Sequence, residues 1–334
     1  MAKCPHFEHL LIVPRLRVQN ANAISSPLTH GFPAMSAFLG LMWALERRTT
    51  AQGLDVLFNA VGVVCHDYQE QVAEDTFAKA FCLTRNPSLD KSKIGSDGKI
   101  KKPDAIVEEG RIHLDLSLVF AVQSRTLSEH MALGQTDAAN AVAAKVNEHI
   151  LTMRIAGGSV VHLPDSRAQK ADIVSLIGTE ADQQKAFNRA KLRLLPGFTL
   201  VSRDDLLEAR HAEMRAQDPD ASRLDAWLSL SRVNWRCVTS PDKKLEWKRD
   251  NPGGWLRPIP VGYGTLSGPH DPGAVANARD AKTPFCFVES LYSIGEWLSP
   301  HRLNSPQDLL WYADHVPDAG LYRCRNDYRL MPGR

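Results

Sequence analysis

Between residues 19 and 29 the chain carries Gln19, Asn20, Asn22, Ser25, Ser26 and Thr29, with no Asp, Glu, Cys or Lys among them. Amides and hydroxyls of this kind donate and accept hydrogen bonds but do not titrate near neutral pH. They suit the holding of a polar ligand. Proton transfer needs a group whose pKa lies near the working pH. Arg15 and Arg17 lie just upstream. The bland alternative is a long strand-to-helix connection whose Asn and Ser side chains satisfy local turns.

The elements around this stretch follow from pattern. Leu11, Val13, Leu16 and Val18 predict a strand over Leu10–Val18. Gly31-Phe32-Pro33 marks a turn, and Met35, Phe38, Leu39, Met42, Trp43 and Leu45 fall at helical spacing from about Ala34. Arg47 and Arg48 close that helix, where cations suit the negative end of its dipole.

Other chemistry-bearing residues carry less. His66, His113 and His301 have no partner base beside the Asn/Ser loop, and Glu108-Glu109 reads as strand-edge charge. Cys4, His6 and His9 lack a second ligand cluster, so no metal site is expected. Gly262-Tyr-Gly264 misses the dinucleotide spacing by one and Pro269 follows it. Arg154 with Gly157-Gly158 offers a guanidinium and backbone amides to a phosphate; the glycine pair equally reads as an ordinary helix stop. Lys185, Arg189 and Arg193 recur every four residues on one helix, a solvated stripe or a face for phosphate.

Further along, strands are predicted at about Val56–Gln71, Phe81–Thr84, Ile112–Val122, Ile173–Ile177 and Leu195–Val201. Helices are predicted from Thr136 to about Arg154, Glu180–Leu194, Asp204–Ala216 and Leu224–Val233. Residues 85–104 are rich in Lys, Asp, Gly, Ser and Pro and read as a projecting lobe. Past Trp235 the pattern fades: Ser240–Pro252 reads as a charged loop and Trp255–Tyr263 as an edge strand broken by Pro258 and Pro260. Ser293–Leu298 and Pro306–Ala313 read as helical. The order strand, helix, strands, strand, helix, strand across Leu10–Val201 gives an α+β class with a βαββαβ, ferredoxin-like plan.

The chain has 334 residues, 43% hydrophobic and 23% charged, with a formal net charge of +2. No apolar run is long enough to span a bilayer and the first residues lack the apolar core of a secretory signal, so a soluble cytoplasmic protein is expected. The six scattered cysteines form no CxxC pair and read as incidental thiols. A free-standing nucleic-acid binder is usually more basic, so any nucleic-acid contact would have to come from particular arginines.

QNANAISSPLTHGFP at 19–33 resembles the N-terminal signature of the subunit that holds the 5′ handle of the guide RNA in type I-F CRISPR (Csy) surveillance complexes, a Cas-type RAMP protein. LTRNP, AIVEEGRIHLDLSL, MRIAGGS, LLPGFTLVSR, GWLRPIPVGY, VESLYSIGEWLSPHR, DLLWY and GLYR are similar to the same family, in its order and across nearly the whole chain. His30 stands where the family pattern expects an aromatic Trp. The resemblance implies a non-catalytic RNA-recognition-like palm with a thumb-like inserted lobe; the palm is expected over 1–205 and a C-terminal extension over 206–334, as two parts or as one continuous domain. No cofactor and no metal are expected. The implied partners are the crRNA 5′ handle, the large subunit, an adjacent backbone subunit of the filament that this chain caps, and target DNA nearby.

Expected roles follow from that implication. Arg15, Arg17, Arg154 and Arg257 balance phosphates, with Arg85 of LTRNP and the Gly157-Gly158 amides beside them. Asn20, Asn22, Ser25 and Ser26 read base edges or sugars, and His30 and Tyr263 offer stacking surfaces. Two other readings remain open: an RNA-processing endoribonuclease on the same fold, using His30, His66 or His301, and a protein–protein scaffold without RNA contact.

Overall fold

Leu11, Val13, Leu16 and Val18 are buried in β1, His9–Asn22, as their alternation requires. The computed structural model describes residues 3–74, 79–85, 96, 98, 106–161, 170–233, 235–240, 242, 244–249 and 253–328. After β1 come a hairpin, β2 (Ile24–Ser26) and β3 (Thr29–His30), then helix α1 (Met35–Ala51) and β4 (Leu57–Glu70). β5 (Val72–Glu74), β6 (Lys79–Arg85) and β7 (Ile106–Glu109) form a separate three-stranded sheet before β8 (Arg111–Gln123). The lobe expected over 85–104 lies outside the described residues, but for its first residue and positions 96 and 98.

Helices α2 (Arg125–Ala132) and α3 (Thr136–Leu151) lead to β9 (Arg154–Ile155), β10 (Gly158–Val161) and β11 (Asp172–Ser175). Then follow α4 (Glu180–Arg193), β12 (Phe198–Ser202), α5 (Asp204–Gln217) and α6 (Arg223–Ser231). A ribbon of β13 (Trp235–Thr239) and β14 (Leu245–Arg249) precedes β15 (Leu256–Thr265) and β16 (Val288–Leu298). The short α7 (Pro306–Leu309), β17 (Trp311–Val316) and β18 (Leu321–Asn326) complete the described chain.

The chain is thus a mixed α/β protein built on one large antiparallel sheet, ordered β12-β16-β15-β18-β17-β4-β8-β1-β10-β9, with β11 also on β1. β12 pairs with both β16 and β4, so β4, β12, β16, β15, β18 and β17 close into a ring. Asn326 ties this ring together. Its amide nitrogen donates to the Asp308 and Leu310 carbonyls, each at 2.9 Å, and its oxygen accepts the Ser202 amide at 3.0 Å.

Two helical layers explain the texture of β8. On one face α1 and α3 cover Leu114, Leu116, Leu118 and Phe120; on the other α4 covers Val119 and Ala121. Each Leu, Val or Phe side chain buried this fully contributes about 1.5–3 kcal/mol. Residues Ser117–Val122 are therefore buried without a break, while Arg111–Asp115 alternate because α4 does not reach that half. The sheet keeps a bare polar face there.

Several expectations from Trp235 onward change. Ser293–Leu298 is strand, inside β16, and helix in Pro306–Ala313 ends at Leu309 before β17. Apolar strands covered on both faces carry no period-two signal, which is why they read as helix. Ser240–Pro252 is not all loop: Leu245–Arg249 is β14. β15 is an interior strand, but β18 pairs only with Gly262–Gly264, so Pro258 and Pro260 still lie where one side is free of a ladder. Arg125–Ala132 is a helix, capped by the Ser124 hydroxyl. β18 was not anticipated.

Candidate nucleic-acid interface

β1 slips register against β8 twice, between Val13 and Leu16 and between Val18 and Ala21. Each slip holds a non-glycine residue at positive φ: Arg15 at 52° and Asn20 at 57°. Asn tolerates this conformation; for Arg it costs roughly 1–2 kcal/mol. Such strain persists where the surroundings over-determine it, and it concentrates at functional sites.

Both residues are held. The Arg15 amide donates to the Ser117 hydroxyl at 3.1 Å and its guanidinium donates to the Leu195 carbonyl at 3.1 Å. The Asn20 amide donates to His113 Nδ1 at 3.1 Å, and the Gln71 side-chain amide donates to Asn20 Oδ1 at 2.7 Å. Between the two bulges, Leu16 and Val18 point into the core beneath α1 and α3 and Arg17 points away, exposed.

The bare face can be traced strand by strand, because directly paired residues share a side of the sheet. Arg17 pairs with Asp115 and with Val161, and Gln19 pairs with Ser159. Ser159 pairs with Arg154 across the β9–β10 hairpin. Arg17, Gln19, Ser159 and Arg154 therefore lie on one open surface and all four are exposed. Gly157, exposed at φ 82°, makes the turn beside Arg154. Gly158 is fixed by contact: a Cβ there would stand 2.7 Å from the Gln19 carbonyl oxygen and 2.8 Å from the Ala21 nitrogen. The second bulge of β1 thus rests directly on Gly158.

His66 sits at the border of this face and α4. Its Nδ1 lies 2.6 Å from the Pro196 carbonyl, and its Nε2 lies 2.7 Å from the Ser117 hydroxyl. A neutral ring donating from Nδ1 and accepting at Nε2 satisfies both contacts. Burial lowers its pKa below 6.5; the Pro196 carbonyl opposes this, Arg15 adds to it, and Asp115 opposes it. The neighbouring Cys65 thiol is pushed up to about 12, by burial first and then by Asp115 and Asp67.

The other expected site residues sit elsewhere. Asn22 closes on its own backbone, accepting from the Ile24 amide at 3.1 Å and donating to the Ile24 carbonyl at 2.7 Å. Ser25 and Ser26 bond Thr29 Oγ1 at 2.8 and 2.6 Å across the β2–β3 hairpin. His30 packs on Phe81, ring centroids 4.8 Å apart. Arg257 and Tyr263 lie on β15, five strands along the sheet from β1; both are exposed, and Tyr263 stacks with Tyr322 at 6.3 Å. Arg85 closes β6, and its side chain lies outside the described residues. On α4, Arg193 pairs with Asp172, while Lys185 and Arg189 are exposed.

Sequence reasoning did not single out Asp115, Ser117, Gln71 or Ser159 for this surface. A signal existed: the alternation in IHLDLSL puts His113, Asp115 and Ser117 on one side of β8. Among the described residues no group of three or more His, Cys, Asp or Glu side chains forms a metal cluster, and no helix is long and apolar enough to cross a membrane.

The surface joins exposed guanidinium groups, neutral donors and a glycine turn, a set that matches phosphates and sugar or base edges. Comparison with known proteins bears on the whole chain. A family model described as CRISPR-associated protein (Cas_Csy2) matches residues 11–324. CRISPR-associated protein Csy2 of Pseudomonas aeruginosa (strain UCBPP-PA14) is 44% identical over 327 residues, covering 95% of this chain and 94% of that relative. The chain belongs to the Csy2 family of CRISPR-associated proteins.

Proposed function

We propose that this subunit of type I-F CRISPR complexes binds the 5′ handle of the crRNA, pairs with the large subunit and caps the backbone filament next to target DNA. The observation that carries the reading is the pair of bulges in β1. Arg15 and Asn20, each in the left-handed region, bracket the exposed Arg17 and leave it on the same open face as Arg154 and the Gly157-Gly158 turn. Single-stranded RNA offers this surface phosphates for its arginines and unstacked bases for its amides.

The fold reading is a ferredoxin-like palm over 1–205, continued by the extension over 206–334 in the same sheet. It is supported by the strand order β4-β8-β1-β10, all antiparallel, with α1 and α3 on one face. That is the order a βαββαβ unit requires if its two crossovers pack together. Arg257, Tyr263, His30 and Arg85 belong in this proposal to the more distant path of the RNA. The subunit acts in the cytoplasm and without catalysis of its own: both ring nitrogens of His113 on the face, and of His66 at its border, already have partners.

The test is co-expression with the partner subunits and guide, purified through a tag on this chain. Intact guide RNA is expected in a fixed-ratio complex and is lost from the Arg17→Ala/Arg154→Ala variant. Shortened RNA made by this chain alone, or partners retained without any RNA, would each defeat the proposal.

A further inference from the structure

The β13–β14 ribbon stands apart from the large sheet and pairs only with itself among the described strands. Its register is Trp235 with Arg249, Cys237 with Trp247 and Thr239 with Leu245. Directly paired residues share a face, so Trp235, Trp247 and Arg249 lie together on one side, with the two indoles as diagonal neighbours. Trp235 is 58% exposed and Trp247 66%. A soluble chain has no folding reason to leave two indoles on a free-standing ribbon.

The other side carries Arg236 and Lys248 opposite each other, with Val238 and Glu246. Glu246 pairs with Lys248 at 3.7 Å. Arg236 also lines a cavity of about 420 Å³ against α5 and α6, together with Arg210, Arg232 and Leu228. Asp218 and Asp225 line it too, but Asp225 is committed to the N-cap of α6 through Ser222. From Trp235 to Arg249 the sequence holds Arg236, Lys243, Lys244, Lys248 and Arg249 against Asp242 and Glu246, a net +3 within a chain whose total is +2.

We propose that this ribbon is a second nucleic-acid contact, separate from the palm face, which takes single-stranded nucleic acid. Bases stack on Trp235 and Trp247 while Arg249, Lys248 and the arginine-lined cleft balance phosphates. Both the sign of the charge and the flat, sequence-tolerant indole faces match that partner. A protein partner would bury the indoles but would not need the concentration of positive charge.

The test uses the full chain with fluorescein-labelled oligo(dT), oligo(U) and the oligo(dT)·oligo(dA) duplex. Fluorescence anisotropy of the Trp235→Ala/Trp247→Ala variant is expected to show Kd for the single strands raised about tenfold or more. Arg236→Glu/Lys248→Glu should weaken binding and flatten its salt dependence. Guide RNA recovered in the co-purification should stay unchanged in both, which separates this proposal from the palm reading. Comparison of oligo(dT) with oligo(U) tells DNA from RNA. In the unaltered chain, 5-iodouracil oligonucleotides should crosslink to Trp235 or Trp247. Unchanged affinity in both variants, tighter binding of duplex than of single strand, or crosslinks confined to the palm would overturn the proposal.

Discussion

His66 Nε2 lies 2.7 Å from the hydroxyl of Ser117, and that hydroxyl also accepts the amide of Arg15 at 3.1 Å. An imidazole at the border of the open face thus anchors the strained residue that opens the first bulge of β1. Because burial keeps the folded pKa of His66 below 6.5, the unfolded chain binds the extra proton. Stability should rise with pH between the folded pKa and 6.5 and fall on acidification through that window. His66→Gln should flatten the slope of denaturant-unfolding stability against pH. A remaining slope of the same sign is expected from His9, also lowered by burial and opposed by Glu8.

Gly157 and Gly158 should separate strain from contact. Gly157→Ala meets no neighbouring atom and should lose about 1–2 kcal/mol, from positive φ alone. Gly158→Ala must displace the second bulge of β1 and should cost about 1–3 kcal/mol. It should also weaken RNA retention, while Gly157→Ala leaves it nearly intact. Melting curves beside RNA recovery check both.

Arg203 and Glu296 form an ion pair with side chains 4% and 7% exposed, joining the end of β12 to β16. Arg203 also donates to Asp205 at 2.9 Å. Arg203→Met leaves a buried carboxylate alone and should cost about 3–5 kcal/mol. Glu296→Leu leaves Arg203 its second partner and should cost less. The double variant should recover much of the loss in equilibrium unfolding.

Arg17 and Arg154 are exposed and outside the core, so removing either should leave folding unchanged. For binding of single-stranded handle RNA, each substitution to Ala should lower the slope of log K against log salt by about 0.7. Titrations at several salt concentrations read this directly.

The sequence carried the first half of the fold well because its signals were local. The strand at 10–18, the helix from 34 and the alternating-then-apolar run of β8 each reflect what covers them. The chemistry of the polar loop at 19–29 divides: Asn22, Ser25 and Ser26 satisfy a tight hairpin, whereas Asn20, like Arg15 upstream of the loop, marks a bulge of β1. No pattern in one strand announces a bulge, since it depends on register with β8. Beyond Trp235 the ring of strands closes through pairings between distant segments, such as Trp311 with Val61, and periodicity cannot report those.

The most direct measurement is photo-crosslinking of a guide carrying 4-thiouridine in its 5′ handle, within the purified complex, with crosslinked peptides identified by mass spectrometry. The account predicts crosslinks in peptides containing Arg17 and Asn20 and in those containing Arg154 to Ser159. Handle crosslinks that fall only on other subunits, or on this chain only away from β1 and the β9–β10 turn, would contradict it.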